Sequence, residues 1–461
     1  MLVPSCGERK ARRLLATASL VLLGFATSDC NCNERPITAA ELENTRVVII
    51  GVDGAAHRVI GPMIDRGELP TMARLMLEGA YLPQFEVVSP DSPLAWTSMA
   101  TSRTPEDHGI VSYTTELPNG KLVPVASTDR KVHALWEVAT QNAISVGTVG
   151  WWASWPAEIV KGYVVTDHAN PVYLEAVYKD GRYWTADPDE LRKMNRDFYP
   201  QDLAPLLQET TTLKDEMSYD DLQRRMKLSA AQLKILKKAP WHERTYYSLL
   251  KGSFLKDLNV VSFATALVRQ RPTKLTMIYL RGPDAVQHYA WDLVEPERYR
   301  VPPKFLARDR GIVEGVYRAV DTFLQEILTS VGENAWVMVG SDHGAEPAPA
   351  ATGIRRRSRP GRHSSAAKGV FFLKGPHIKK GYRIQSASPY DVMPTALWLL
   401  GLPISDDLEG KILKEAFDPG LVRLIGENRV PTYGTRETSA PRPSAVDDVM
   451  LKNLQALGYI Q

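Results

Sequence analysis

The sequence predicts an α/β fold in which a doubly wound, mostly parallel sheet carries a helical cap insertion. Short apolar runs rich in Val and Ile alternate with segments whose apolar residues recur at helical spacing. Gly and Asp directly follow several of these runs, as expected for buried strands that end at a functional sheet edge. Between about residues 170 and 257 the strand-like runs disappear and Tyr, Trp and charged residues accumulate, which marks the insertion.

Length, composition and charge restrict the class of protein. The chain has 461 residues, 44% of them hydrophobic and 24% charged, enough for one large domain with an insertion or for two modest domains. Its 56 basic and 53 acidic residues give a formal charge of +3, which is too balanced to indicate nucleic-acid binding. The three cysteines, Cys6, Cys30 and Cys32, all lie near the N-terminus. The folded body therefore offers neither a disulfide framework nor a thiolate metal site.

The first residues follow the order of an export signal. A basic cluster at residues 9–13 precedes an apolar run at residues 14–26, which is too short to span a bilayer comfortably. We predict an export signal over residues 1–29 and a polar linker over residues 30–45. Cys30 stands where a bacterial lipoprotein signal has its lipidated cysteine, but the Asp before it does not fit such signals. Secretion, periplasmic location and a lipid anchor at Cys30 are all open, and that anchor is the predicted membrane contact.

Residues 46–169 are predicted to form the first part of the catalytic core. The stretch RVVIIGVDG predicts a buried parallel strand that ends in the carboxylate of Asp53. Apolar residues at helical spacing follow and stop at Gly79, and Phe85 to Val88 are predicted as the next strand. A helix is predicted at residues 131–142, and strands at AISVGTVGW and GYVVTDH.

The rest of the chain divides into three parts. The predicted cap spans residues 170–257, and insertions at this sheet edge commonly set substrate choice. The second part of the core, residues 258–429, has predicted helices at about 258–270 and 311–331 and strands at KLTMIYL, AWVMVGS and KGVFFLKG. Residues 430–461 are predicted as a linker and a closing helix, MLKNLQALGYI.

Two further predicted strands end in Asp and His. LTMIYLRGPDAVQHYAWD places Asp284 and His288 four residues apart, so that on a short helix they share a face and can bind one ion. AWVMVGSDHGAE places Asp342 and His343 directly after a buried strand. Carboxylates and imidazoles without thiolates suit Zn²⁺, with Mn²⁺ or Mg²⁺ as alternatives. The candidate metal ligands are Asp53, Asp284, His288, Asp342, His343 and His363.

Asp-His pairs also occur elsewhere in the chain. We interpret the pair at Asp107 and the pair at Asp167 as structural, the second because it leads into the cap and lacks small neighbours. The histidines interpreted as structural or solvent-facing are His57, His108, His133, His168, His242 and His377.

The nucleophile is predicted in the segment SPDSPLAWTSMATSRTP. Ser92 followed by Pro93 is typical of a helix N-cap and the first residue of the helix. A hydroxyl at that point lies near the backbone N–H groups that bind phosphate oxygens. Thr97, the alternative, would lie more than one turn inside the helix. Ser92 is favoured, although it could also serve only as a cap.

These motifs together resemble the alkaline phosphatase superfamily and, within it, the type I phosphodiesterase / nucleotide pyrophosphatase family. The likeness rests on VVIIGVDG, PLAWTSMAT with PEDHGI, GPDAVQHYAWD, VGSDHG, and GRHSS with KGVFFLKGP, in that order over about residues 46–400. The resemblance implies an alkaline phosphatase-like fold and a site for two divalent metal ions. It assigns one ion to Asp284, His288 and His363. It assigns the other to Asp53, Asp342, His343 and the hydroxyl of Ser92.

The resemblance also implies a mechanism. Two ions some ~4 Å apart would lower the pKa of the Ser92 hydroxyl and stabilise an in-line displacement, giving a covalent phosphoseryl intermediate that is then hydrolysed. Ser92 stands where the nucleotide pyrophosphatases mostly have Thr, and Ala95 where they have Asn, which leaves nucleotide specificity open. Sulfatases of the superfamily need a C/S-x-P-x-R segment that this chain lacks, so sulfate-ester hydrolysis is disfavoured.

A basic loop, IRRRSRPGRH, precedes His363. It can steer an anionic substrate towards the metals, although such runs are more often solvated loops. Its arginines are Arg355, Arg356, Arg357, Arg359 and Arg362.

The sequence thus predicts an exported, metal-dependent phosphodiesterase or pyrophosphatase-like hydrolase that acts on a phosphate-ester small molecule or a lipid headgroup. A phosphomonoesterase or a phospho-group transferase on the same centre is an alternative, because the metals do not distinguish one ester from another. A non-catalytic surface protein that keeps the fold is another. A dinucleotide-binding dehydrogenase is disfavoured because no G-x-G-x-x-G follows a predicted strand.

Overall fold

The computed structural model describes residues 38–177, 197–241, 245–349 and 359–460. These ranges all belong to one compact unit. The predicted export signal, Cys30, His242 and the three arginines at 355–357 lie outside the described residues.

A mixed sheet forms the centre of the fold. Its nine strands, counted over the described residues, run in the order β13-β2-β12-β9-β1-β8-β5-β6-β7. The strands with their bounds are β1 (Arg46–Val52), β2 (Ala80–Phe85), β3 (Thr114–Glu116), β4 (Leu122–Pro124), β5 (Val146–Val149), β6 (Gly162–Val165), β7 (Phe198–Tyr199), β8 (Leu275–Leu280), β9 (Ala335–Gly340), β10 (Glu346–Pro347), β11 (Gly361–Arg362), β12 (Gly369–Lys374), β13 (Tyr382–Arg383), β14 (Ile404–Ser405) and β15 (Arg429–Val430).

The middle of the sheet is parallel. Strand β1 pairs in parallel with β8 on one side and with β9 on the other, and β5 extends the parallel set from β8 to β6. Strand β12 runs antiparallel to both β9 and β2, and β7 runs antiparallel to β6. The predicted α/β fold with a mostly parallel sheet is confirmed.

Helices cover both faces of this sheet. They are α1 (Ala39–Asn44), α2 (His57–Asp65), α3 (Pro70–Glu78), α4 (Ser92–Thr101), α5 (Pro105–His108), α6 (Leu135–Gln141), α7 (Pro171–Val177), α8 (Ala204–Thr210), α9 (Tyr219–Met226), α10 (Ala230–Lys238), α11 (Tyr246–Gln270), α12 (Asp284–Ala290), α13 (Pro303–Asp309), α14 (Ile312–Val331), α15 (Val392–Leu399), α16 (Pro419–Ile425) and α17 (Asp447–Leu457). No helix among them is both long and apolar enough to cross a bilayer.

The side chains of β1 alternate between two apolar layers. Val48 and Ile50 belong to one buried cluster, and Val47 and Ile49 to the other. Successive side chains on a strand point to opposite faces, so a run that is apolar at every position is buried on both faces. This double burial explains why the first strand has no polar alternation.

Two predicted elements have different bounds in the structure. The strand after α3 is Ala80–Phe85, and not Phe85 to Val88, because Leu82 and Phe85 are the buried residues that pair with β12. Helix α11 begins at Tyr246, twelve residues before the predicted start, with the Thr245 side chain accepting a hydrogen bond from the Ser248 N–H. The helix continues through residue 257, where the sequence analysis ended the cap, and its buried face there mixes apolar residues with Ser, Lys and Asp.

Candidate metal centre

The carboxyl ends of three neighbouring strands define the candidate site. Asp53 follows β1, Asp284 opens α12 just after β8, and Asp342 and His343 follow β9. Because β8, β1 and β9 are adjacent and parallel, their carboxyl ends lie at one edge of the sheet. The sheet order therefore brings together residues that are almost 300 positions apart in the chain.

The six predicted ligands lie together at this edge. The Nε2 atom of His343 lies 3.5 Å from Oδ1 of Asp53 and 3.4 Å from Oδ2 of Asp342. The Nε2 atom of His288 lies 3.4 Å from Oδ1 of Asp284. The His363 ring stacks on the His343 ring, with centroids 3.9 Å apart, and meets the His288 ring edge-on at 5.0 Å.

Two groups of three residues have the spacing needed to hold an ion. Asp53, Asp342 and His343 offer ligand atoms that all lie within 4.8 Å of one another, and so do Asp284, His343 and His363. The first group is the set of protein carboxylates and imidazole that the resemblance assigned to one ion. The second group contains His343 where the resemblance assigned His288. The His288 ring nevertheless lies next to Asp284 and His363.

Each carboxylate of the centre has one oxygen fixed by a neighbouring group. Oδ2 of Asp53 accepts a hydrogen bond from the Tyr279 hydroxyl, and Oδ2 of Asp284 accepts one from the Tyr459 hydroxyl. Oδ1 of Asp342 accepts hydrogen bonds from the backbone N–H groups of Gly54, at 3.3 Å, and His343, at 3.0 Å. These bonds orient the carboxylates, as the outer partners of metal ligands commonly do.

Several other polar atoms of the centre have no hydrogen-bond partner. Oδ1 of Asp53, Oδ2 of Asp342, Nε2 of His343 and both ring nitrogens of His363 are buried without any hydrogen bond. Buried polar atoms without a partner are costly, and several of them converging on one point are typical of a cation site. The donor set, oxygen and imidazole nitrogen, fits Zn²⁺ and also Mn²⁺.

The backbone fixes the tautomer of His343. Its Nδ1 lies 2.9 Å from the carbonyl oxygen of Gly344, and a carbonyl oxygen only accepts, so Nδ1 carries the proton. Nε2 of His343 has no hydrogen bond, and its lone pair can bind a metal. Nδ1 of His288 lies 3.1 Å from the carbonyl oxygen of Gly361 and 3.3 Å from the Arg359 guanidinium, and its Nε2 lies 3.1 Å from the Tyr459 hydroxyl.

The electrostatics of the centre indicate a missing positive charge. Burial and the nearby carboxylates of Asp342 and Asp284 raise the pKa of Asp53 well above its usual value. Burial also raises the pKa of Asp342. Burial on its own would lower the pKa of His343, but the surrounding carboxylates outweigh it and raise this pKa to about 9. Like charges this close are unfavourable unless a cation compensates them.

Ser92 is the first residue of helix α4, and the predicted N-cap position belongs to Asp91. The turn is shifted by one residue because Pro93 occupies the second helical position, where its missing N–H costs no hydrogen bond. The Ser92 side chain is buried, and its backbone N–H donates to the Tyr113 hydroxyl at 3.3 Å. The hydroxyl of Thr97 instead donates to the carbonyl oxygen of Pro93 at 2.7 Å.

Aromatic residues link Ser92 to the metal-binding edge. The Tyr113 ring stacks on the Tyr459 ring with centroids 4.9 Å apart and planes 5° apart. The Tyr459 hydroxyl in turn contacts Asp284 and lies 3.1 Å from Nε2 of His288. Sequence reasoning did not find these tyrosines. Tyr279 could have been suspected because it lies near the end of the strand that precedes Asp284, whereas Tyr459 has no local signal.

Other predicted features lie away from the centre or belong to the scaffold. His108 is buried and its Nε2 lies 3.1 Å from the Ser98 hydroxyl, and His168 stacks on Trp155. The basic loop, in contrast, reaches the centre, because the Arg359 guanidinium lies 3.3 Å from Nδ1 of His288. Arg362 of the same loop forms an ion pair with Glu346 at 3.1 Å.

The chain was compared with protein-family profiles, curated proteins and solved structures. The profile of the family described as type I phosphodiesterase / nucleotide pyrophosphatase matches residues 47–358, which is more than half of the chain. No match was found among curated proteins. Similar solved structures include murine ectonucleotide pyrophosphatase / phosphodiesterase 5, an inactive variant in complex with AMP, with a TM-score of 0.48 and 11% identity over 81% of this chain and 100% of that chain. The human protein of the same name gives the same values. A putative sulfatase from Bacteroides thetaiotaomicron has a TM-score of 0.44 and 12% identity over 85% of this chain and 76% of that chain.

The parallel strands, the Asp and His residues at their carboxyl ends and the profile match define a protein of the alkaline phosphatase superfamily. Within that superfamily, the chain belongs to the type I phosphodiesterase / nucleotide pyrophosphatase family. The predicted resemblance is confirmed.

Proposed function

We propose that this protein hydrolyses phosphodiester or pyrophosphate bonds with the help of two divalent metal ions and a covalent phosphoseryl intermediate at Ser92. The observation that carries the proposal is the set of buried, unpartnered ligand atoms on Asp53, Asp342, His343 and His363. A protein that used this edge only for structure would have paired these atoms, because leaving them unpaired in the interior is unfavourable.

The ligands would divide between two positions. Asp53, Asp342 and His343 would hold one ion, and Asp284, His363 and His288 would hold the other, with the Ser92 hydroxyl next to the first. When bound, the ions would polarise the phosphoryl group and lower the pKa of the Ser92 hydroxyl.

Ser92 would carry the covalent chemistry. Its Oγ would form a bond to phosphorus while the bond from phosphorus to the leaving oxygen breaks; the hydroxyl proton would pass to solvent water, and the leaving oxygen would take up a proton from water. In the second step a water oxygen would attack the same phosphorus, the bond from phosphorus to Oγ would break, one proton of the water would return to Oγ, and the phosphate product would leave. The start of helix α4, a ten-residue helix, would bring the positive end of its dipole towards the phosphoryl oxygens and favour their negative charge.

The test compares two esters. The zinc-loaded or manganese-loaded protein is expected to hydrolyse bis-p-nitrophenyl phosphate with a higher kcat/KM than p-nitrophenyl phosphate, and chelator is expected to abolish both reactions. Asp53→Asn should lose activity and bound metal together. Asp107→Asn is the matched control, because Asp107 also precedes a histidine but forms an ion pair with Arg103 at 3.2 Å, away from the centre.

The outcomes separate the alternatives. A preference for p-nitrophenyl phosphate would favour a phosphomonoesterase or a phospho-group transferase. Fewer than one bound ion per chain after reconstitution, with no hydrolysis of either ester, would favour a non-catalytic member of the fold.

Export and lipid anchoring remain part of the proposal. We infer that residues 1–29 direct the chain out of the cytoplasm and that Cys30 is the candidate anchor. Labelling with a fatty-acid analogue, in wild type and in Cys30→Ser, would distinguish an anchored from a secreted product.

A further inference from the structure

Lys256 and Arg281 lie in a cleft beside the candidate metal centre, and among the residues that the structure describes neither forms an ion pair with a carboxylate. The cleft has a volume of about 530 Å³ and runs between helices α7, α11 and α17. Lys256 and Arg281 lie in it, and so does Ala285, the residue after the proposed ligand Asp284. A smaller cavity of about 40 Å³ is also lined by Lys256 and Arg281 and reaches Tyr279, whose hydroxyl donates to Asp53.

Lys256 and Arg281 share one neutral partner. The Lys256 ammonium donates to the Tyr173 hydroxyl at 3.1 Å, and the Arg281 guanidinium donates to the same oxygen at 2.9 Å. Within the described ranges, neither side chain forms an ion pair with a carboxylate. Arg130, a buried cation elsewhere in the fold, differs from them in having carboxylate partners. It forms ion pairs with Glu137 at 2.5 Å and Glu158 at 2.7 Å.

Two acidic side chains near these cations already accept hydrogen bonds from the backbone. Asp257 accepts hydrogen bonds from the backbone N–H groups of Arg281, at 2.8 Å, and Gly282, at 3.0 Å. Asp167, which lines the smaller cavity, accepts from the backbone N–H groups of Ala153, at 3.0 Å, and Trp155, at 3.1 Å. Both carboxylates therefore stabilise the local backbone.

The local potential is positive as a result. Burial on its own would raise the pKa of Tyr173, but Arg281 and Lys256 outweigh it and lower this pKa. Burial lowers the pKa of the Lys256 ammonium. Holding a buried cation without a counter-charge is unfavourable, so such a group commonly marks a place where an anion binds.

We propose that Lys256 and Arg281 form a second anion-binding subsite, which takes a phosphate or carboxylate group remote from the phosphorus that is attacked. The inference rests on the proposed function and names its substrate class: phosphate esters with a second anionic group. Val172, Leu249 and Val449 line the same cleft, so the part of the ligand between its two anionic groups can be apolar. Tyr173 aligns the two cations, and charge-assisted hydrogen bonds from them would bind the second group.

A matched pair of ligands tests the subsite by binding, without turnover. Calorimetry on the zinc-loaded protein compares 3-phosphonopropionate with propylphosphonate, which lacks only the carboxylate. Wild type is expected to bind 3-phosphonopropionate about tenfold more tightly. Lys256→Gln and Arg281→Gln should each reduce the ratio of the affinity for 3-phosphonopropionate to that for propylphosphonate to about one. The affinity for propylphosphonate itself should stay within about twofold of the wild-type value.

Lys251→Gln is the control. Lys251 is a buried lysine on the same helix, five residues before Lys256, and its ammonium donates to the Ala239 carbonyl outside the cleft. This variant should keep the wild-type ratio. The thermal midpoint of each variant shows whether it is folded, and either one of the two subsite variants is sufficient for the test.

The outcomes distinguish the subsite from the proposed function. Equal affinity of wild type for 3-phosphonopropionate and propylphosphonate would overturn the subsite, even if the protein hydrolyses diesters. So would an affinity ratio that both subsite variants leave unchanged. In chelator, wild type should still bind 3-phosphonopropionate weakly and the two variants should not. If wild type shows this metal-independent binding, the two variants lose it, and no ester is hydrolysed, the subsite is supported and the hydrolase assignment is contradicted.

Discussion

The carboxylates of the candidate centre are prepared for metal binding at the level of single atoms. Asp53, Asp284 and Asp342 each have one oxygen fixed by a hydroxyl or a backbone N–H, and the opposite oxygen faces the histidines. Fixing one oxygen orients the second, so less conformational entropy is lost when an ion binds.

Ser92 and Thr97 provide a direct test of the nucleophile. Ser92→Ala should lower kcat for bis-p-nitrophenyl phosphate by at least about a thousandfold, because the attacking oxygen is removed. Thr97→Val should keep kcat within about threefold, since the Thr97 hydroxyl is bonded to the Pro93 carbonyl oxygen and is not available for attack. The measurement is single-turnover kinetics with metal content determined on the same samples.

The reverse result would assign the nucleophile to Thr97. If Thr97→Val abolished turnover while Ser92→Ala kept it, with both proteins loaded with metal, the assignment of Ser92 would be wrong.

His108 is expected to make the fold sensitive to acid. Burial lowers the pKa of His108 to about 4 from a value of 6.5, so the unfolded chain binds a proton more readily than the folded protein between these values. Stability contributed by the neutral ring is therefore fully present above pH 6.5 and is lost as the pH falls towards 4.

The variant His108→Gln isolates this contribution. Gln can still donate to the Ser98 hydroxyl but cannot titrate. Between pH 7.5 and pH 5, the free energy of unfolding of wild type should fall by about 2 kcal/mol more than that of the variant, as measured by denaturant titration. Equal falls for the two proteins would contradict the assignment.

At the scale of elements, the C-terminal helix is part of the site. Helix α17 ends at Leu457, and Gly458 follows it with a φ of 70°, a left-handed conformation that glycine adopts without strain. The chain then turns so that Tyr459 reaches Asp284 and His288. A segment more than 150 residues away from these residues in sequence thus completes their surroundings.

Removing the Tyr459 hydroxyl tests this arrangement. Tyr459→Phe keeps the ring stacked on Tyr113 but loses the bond to Asp284, so zinc affinity should fall by about tenfold to a hundredfold. The measurement is a calorimetric zinc titration. Tyr433→Phe is the matched control, because the Tyr433 hydroxyl bonds to Ser405 and Pro403 and contacts no proposed ligand.

Two results would contradict the role of Tyr459. Unchanged zinc affinity in Tyr459→Phe would show that the hydroxyl does not orient Asp284. An equal loss in Tyr433→Phe would show that the effect is a general loss of stability.

At the scale of the whole molecule, metal binding should stabilise the fold. The centre joins the ends of β1, β8 and β9 and contains three buried carboxylates at close range. An ion that binds the folded state alone stabilises it by mass action, and its removal exposes the repulsion between these groups. Chelator should therefore lower the thermal midpoint by about 5 °C or more.

Scanning calorimetry with and without chelator measures this effect. Asp53→Asn should reduce the shift, because one ion would already be lost and one negative charge removed. An unchanged midpoint in wild type, after analysis shows that the metal has been removed, would contradict the prediction.

The sequence by itself determined the class of fold and the chemistry of the site. The apolar runs that end in Asp53 and Asp342 predicted strands buried on both faces, and their ends meet if the strands are parallel neighbours. Asp284 and His288, four residues apart, were predictable as a pair because a helix places them on one face. The start of α11 was missed because its first turns mix apolar residues with Lys and Ser, whose burial depends on the helices packed around them.

Only the tertiary structure decided the order of the strands and therefore which residues are neighbours. Strand β1 lies between β8 and β9, which makes His343 common to both groups of candidate ligands. Tyr459 and the cations Lys256 and Arg281, which both donate to the Tyr173 hydroxyl, have no signal in the sequence, because their roles depend on contacts between distant segments. Local patterns record which face of an element is buried, whereas such contacts arise only when the elements pack.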